Sequence, residues 1–145
     1  MGFSWPGLIA LLLMLVAAAT VGATVRAMRR SARIRATQLP SGAIARRVSR
    51  ELPCRLTVER TIVGGPRAGG INRAPVDLVL TDRQLIAATW HGRILVIDHD
   101  HPGKITCTGP SRLVLEGTHP AGETRVRLEV LAEDADGWIQ DTRSF

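Results

Sequence analysis

Asp98, His99, Asp100 and His101 form the one cluster of metal-ligating types in this 145-residue chain. On an extended strand His99 and His101 point to one face, and Asp98 and Asp100 to the other. Two imidazoles suit a divalent ion, but a closed or catalytic site takes at least a third protein ligand. The cluster runs into Pro102 and Gly103, so it reads as the polar end of a hairpin. No metal is expected, and His99 and His101 are the residues that would serve if one bound. His91 stands beside Gly92 and His119 beside Pro120, which makes both turn residues. The glycine-rich stretch 64–70 lacks the Gly-Lys-Ser/Thr ending of a phosphate loop and does not open a helix. It reads as a long mobile loop with Arg67 at its tip and Arg73 just beyond. No nucleophile elbow, His-Glu-x-x-His or Cys-x-x-Cys occurs. Cys54 and Cys107 each lie in an apolar, strand-like setting, where a buried inert thiol is the common role. In a reducing cytosol they stay free, and outside a membrane they could form one bridge. These residues lead to no cofactor, no catalytic residue and no enzyme; a surface enzyme or metal protein built on 98–101 is the minority reading.

The elements that must hold such groups divide the chain in two. Residues 3–25 contain no Asp, Glu, Lys or Arg. As a helix they rise about 34 Å, enough to cross a hydrocarbon core of about 30 Å. Arg26, Arg29, Arg30, Arg33 and Arg35 follow, then Arg46, Arg47 and Arg50, with no acid before Glu51. That is a transmembrane anchor with a basic stop. Ala17, Ala19, Gly22 and Ala23 could imitate a signal-peptide cleavage site. Against a signal peptide, no basic residue precedes the run, and the run exceeds an apolar core of about 7–15 residues.

Orientation follows from the arginines, because basic flanks stay cytoplasmic. The expectation is a single-pass protein of the cell membrane, N-terminus outside and the rest inside. Trp5 then belongs to the outer aromatic belt, and Pro6 is harmless in a first turn. Ala18 and Gly22 form a small-xxx-small pair, a basis for weak homodimerisation through the span.

The formal charge of +6 is unevenly held. Residues 26–50 carry +8, whereas 51–145 hold eleven basic and thirteen acidic side chains, a balance of −2. A nucleic-acid binder carries its basic face on the folded part, with aromatics for stacking; this chain has three Trp, two Phe and no Tyr. Nucleic acid is therefore not the expected partner. Anionic headgroups explain the arginines more simply, at about 1 kcal/mol each near the surface. All eight are candidate membrane-surface contacts. Within the connector, Ile44, Val48 and Leu52 recur at i, i+4 and i+8 after Ser41, which predicts a short amphipathic helix.

From Pro53 short apolar runs alternate with turns, the pattern of an all-β sandwich or barrel. Seven strands are expected: around 56–62, then 76–81, 85–90, 93–98, 105–108, 112–115 and 124–131. His91-Gly92 is the expected two-residue turn between the third and fourth. Ala135, Trp138, Ile139 and Thr142 then fall at i, i+3, i+4 and i+7, an amphipathic closing helix. Gly137 weakens that helix by about 1 kcal/mol, so packing of Trp138 must hold it. The organisation is an anchor (1–25), a basic connector (26–52) and a β domain (53–145).

Seven short strands and a closing helix with a tryptophan resemble the pleckstrin-homology superfold. The phrase Leu80-Thr81-Asp82-Arg83-Gln84-Leu85-Ile86 is similar to the strand–turn–strand of bacterial PH-like and GRAM-like domains. The resemblance covers 53–145 and implies an open seven-stranded barrel or sandwich plugged by Trp138. In inositide-binding members, basic residues cluster across the first hairpin. Here Arg55, Arg60, Arg67 and Arg73 are scattered, so the resemblance bears on fold more than on lipid recognition. An oligonucleotide-binding fold is the runner-up, but it uses five strands and no closing helix. The function implied is a membrane-anchored, non-catalytic binding or scaffold module with a lipid bilayer and an unidentified protein as partners. The alternative is an accessory subunit that packs through its span into a larger transporter or enzyme.

Overall fold

The computed structural model describes residues 5–39, 41–62, 65–122 and 124–143; the side chains of 59–62 and 65–72 fall outside the description. One helix, α1 (Trp5–Ala36), carries both the apolar run and the first five arginines. Its 32 residues give a length of about 48 Å, so it continues well past a hydrocarbon core. The Thr20 and Thr24 hydroxyls donate to the carbonyls of Ala17 and Thr20 at 2.8 Å. Both hydroxyls are thus satisfied on a surface that the described residues leave exposed. The helix is long and apolar enough to span a membrane, a property a signal sequence shares.

Among the described residues nine strand segments follow: β1 (Ala45–Leu52), β2 (Cys54–Ile62), β3 (Gly65–Asn72), β4 (Val76–Thr81), β5 (Leu85–Thr89), β6 (Gly92–Ile97), β7 (Lys104–Cys107), β8 (Arg112–Thr118) and β9 (Arg125–Leu131). The short helix α2 (Ala135–Thr142) closes the series. All pairings are antiparallel, in two sheets ordered β1-β4-β5-β6 and β3-β2-β9-β8-β7, and they do not close into a barrel. Pro53 alone separates β1 from β2, because a residue without an N–H interrupts the ladder. Its carbonyl still accepts from the Leu131 amide at 3.0 Å. Since β1 pairs with β4 and β2 with β3, one long bent ribbon serves both sheets.

The core lies between the sheets. Leu78 and Leu80 of β4, Leu85 of β5, Leu95 of β6, Leu113 and Leu115 of β8, and Leu128 of β9 meet there with Trp138. Strand β9 keeps the expected alternation, burying Val126, Leu128 and Val130 between exposed Arg125 and Arg127. Strands β4 and β5 are buried throughout. Val79, Ile86, Ala88 and Val96 are covered on the side away from the core, and the last turns of α1 pack on β5 and β6. Burial on both faces explains why these strands read as continuous apolar runs.

Four expectations are corrected. Residues 45–52 form strand β1 and not an amphipathic helix, so the sheet takes in part of the supposed connector. Residues 65–70 of the supposed glycine loop belong to β3. Thr89 pairs with Gly92, so the turn residues are Trp90 and His91; Gly92, at φ 122°, already belongs to β6. Residues 98–101 form a turn and not an extended strand end. Residues 3–4, Pro40 and the side chains of Arg60 and Arg67 lie outside the described residues.

Candidate functional site

The arginines converge on the joint between α1 and the β domain. The C-terminal carbonyls of a helix have no partners of their own. Arg93, at the start of β6, supplies them: its Nε donates to the Ala36 carbonyl at 2.8 Å and its Nη2 to that of Gln38 at 2.7 Å. Thr37 is buried beside them, its amide and hydroxyl both donating to the Arg33 carbonyl. A cation at a helix C-terminus also complements the macrodipole.

Arg33 is the buried residue of α1, and its Nη2 donates to Glu51 Oε1 at 2.6 Å. Glu51 reaches it from an unusual backbone. Its φ is +57°, a left-handed conformation that costs a non-glycine residue about 1 kcal/mol or more. The β1–β4 register slips between Ser49 and Leu52, which is a bulge of the kind that re-aims a side chain. Asp77, buried on β4, holds the bulge: its Oδ1 accepts from the Glu51 amide at 2.8 Å and its Oδ2 from Arg50 Nη1 at 3.3 Å. One buried carboxylate thus fixes the strained turn that aims Glu51 at the helix.

A second arginine centre locks α2. The Arg47 guanidinium lies 5.2 Å from the Trp138 ring centroid, a cation–π contact. It pairs with Asp134 and, at 3.3 Å, with Asp141. Asp134 is the N-cap of α2, its Oδ1 accepting from the Gly137 amide at 3.0 Å. The Arg47 guanidinium, and then that amide, hold the Asp134 carboxyl below its ordinary pKa. A β-carbon on Gly137 would stand 2.7 Å from Asp134 Cγ and 2.8 Å from Arg47 Nη1. A side chain at 137 would have to displace these two side-chain ends from their present positions.

Of the eight arginines, Arg33, Arg47 and Arg50 pair with carboxylates 18 to 94 positions further along the chain, so no local sequence signal marks these pairs. Arg29 lies 4.9 Å over the Trp90 ring, which is tilted against His91. All but Arg33 and Arg47 are exposed. Trp90, Arg93, Glu51 and Asp77 were not singled out by sequence. An aromatic at a turn, in a chain with so few, was the available hint for Trp90.

The remaining candidates are the 98–101 cluster and the two cysteines. Asp98 Oδ1 accepts from the amides of Asp100 and His101, at 3.0 and 2.7 Å, and lies 2.9 Å from His101 Nδ1. Burial raises the Asp98 pKa, and the His101 ring and these amides outweigh it, leaving it below the ordinary value. Among the described residues no three His, Cys, Asp or Glu side chains gather as a metal site. Cys54 and Cys107 are both free thiols. Burial raises the Cys54 pKa, against the bond its Sγ donates to the Ala74 carbonyl at 2.7 Å. No family model, no curated protein and no solved structure matches this chain.

Proposed function

We propose that the chain is a single-pass membrane protein whose β domain is a non-catalytic binding module of the pleckstrin-homology type, held at the cytoplasmic face. The observation that carries the reading is the bent ribbon. Taken as one strand, β1–β2 bends at Pro53, and β3–β4 bends beside it at 73–75. The nine segments then become seven strands, each antiparallel to the next except where the chain passes from β6 in one sheet to β7 in the other. The first pairs with the last through β2 and β9, and a helix burying Trp138 follows directly. This order supports the PH-like resemblance, and α2 weighs against the oligonucleotide-binding alternative. Eight arginines after the apolar run and none before it support the cytoplasmic placement.

The alternative, an accessory subunit that packs through its span, draws on α1 itself. No part of its apolar window is buried by the described residues, and a β-carbon at Gly22 would meet open space. Photocrosslinking of the full chain in native membranes separates the two. A crosslinking residue replaces exposed Lys104 on edge strand β7 in one variant and exposed Met14 on α1 in another. A binding module gives a discrete protein adduct from position 104. Adducts from position 14 alone favour the accessory subunit, and none from either removes the case for a protein partner.

A further inference from the structure

Between the docked end of α1 and the membrane, helix and domain part, and a cleft of about 840 Å³ opens between them. Its α1 wall carries Arg26, Arg29, Arg30 and Arg33, its domain wall carries Arg73, and Glu51 is its single carboxylate. Five guanidinium groups against one acid make it a strongly basic hollow. The acid is already engaged by Arg33.

Arg33 gives the second, independent observation. The residue is 7% exposed, and its Nε and Nη1 have no hydrogen-bond partner among the described residues. A buried guanidinium with unused donors is costly unless an acceptor completes it. Guanidinium groups recognise phosphate through paired N–H donors. Trp90 forms part of the domain wall and lies under Arg29, which fixes that guanidinium at the rim.

Depth favours a headgroup. Arg26 is the first charge after the apolar run, and Arg26 to Arg33 spans about 10 Å of helix. The headgroup layer of one leaflet is about 5–8 Å thick. The upper part of the cleft therefore lies at the level of lipid phosphates when α1 spans a bilayer.

We infer that this cleft binds one phosphate group, carried by an anionic phospholipid headgroup of the adjoining leaflet or by a soluble phosphate. The lipid source rests on α1 remaining attached as a span. The intact mass of the purified chain reports that separately.

Titration calorimetry on the full chain in a neutral maltoside detergent tests the site. One arm uses dioctanoyl phosphatidylglycerol, the other inorganic phosphate. The variant Arg30→Gln/Arg73→Gln removes two exposed cleft arginines. The control Arg35→Gln/Arg83→Gln removes the same charge from exposed positions outside the cleft. Saturable one-to-one binding is expected in at least one arm. It should weaken about tenfold or more in the cleft variant and less than about twofold in the control, with unchanged melting of both. Binding in the lipid arm alone assigns the headgroup, and binding in the phosphate arm assigns a soluble source. No saturable binding in either arm, or equal losses in the two variants, overturns the site and leaves only diffuse surface attraction.

Discussion

At Gly137 a residue-level rule is reversed by its surroundings. Replacing an interior helical glycine with alanine ordinarily stabilises by about 1 kcal/mol. Here the new methyl would push aside the Asp134 carboxylate that caps α2 and pairs with Arg47. Gly137→Ala should therefore leave the melting temperature of the full chain unchanged or lower. In an Asp134→Ala background the same change should raise it by about 4–8 °C, the usual equivalent of 1 kcal/mol in a small domain. Equal stabilisation in both backgrounds would mean that the carboxylate and the glycine are uncoupled. The sequence did disclose the amphipathic stripe of α2 and the burial of Trp138, which is 2% exposed. It did not disclose the guanidinium above that ring, because Arg47 and Trp138 lie far apart in the chain. The 98–101 cluster misled for a local reason: an aspartate side chain that bonds amides two and three residues on folds a turn, where strand alternation does not apply.

The elements were legible where burial is one-sided or complete. An uncharged helical run, an alternating β9 and the apolar β4, β5 and β6 each carry a pattern with one interpretation. Strand β1 does not, because a spacing of four places residues on one face of a helix and also of a strand. Its inward side is set by tertiary partners: Val48 is 45% exposed, while Arg47 turns toward the acids and Trp138 of α2. Strand β3 hid behind Pro66 and three glycines, residues that weaken a strand but are tolerated at a sheet edge, where β3 lies. The docking of α1 makes the clearest element-scale prediction. Arg93→Met removes both bonds to the Ala36 and Gln38 carbonyls, charge-assisted contacts worth about 1.5–3 kcal/mol each at most and less where solvent reaches them. Hydrogen exchange at the amides of 34–38 should accelerate about five- to thirty-fold, with β8 and β9 unchanged. Unaltered protection at 34–38 would show that Arg93 does not hold the helix end.

On the scale of the whole molecule, charge is sorted along the sequence: an uncharged apolar helical run, a basic joint, then a domain whose balance is −2. Part of the joint's positive charge is neutralised by Glu51 and Asp77, and Arg47 is neutralised at α2 by Asp134 and Asp141. What remains exposed, together with the basic cleft, faces the level where an apolar helix would leave a bilayer. The central claim is that α1 stays in the membrane and holds the domain against the cytoplasmic leaflet. A reporter active only outside the cytoplasm, fused after residue 145 and followed by immunoblot of the membrane fraction, tests it most directly. The account predicts a membrane-bound, full-length fusion with a silent reporter. An active reporter, or a soluble product shortened by the length of the span, would contradict it.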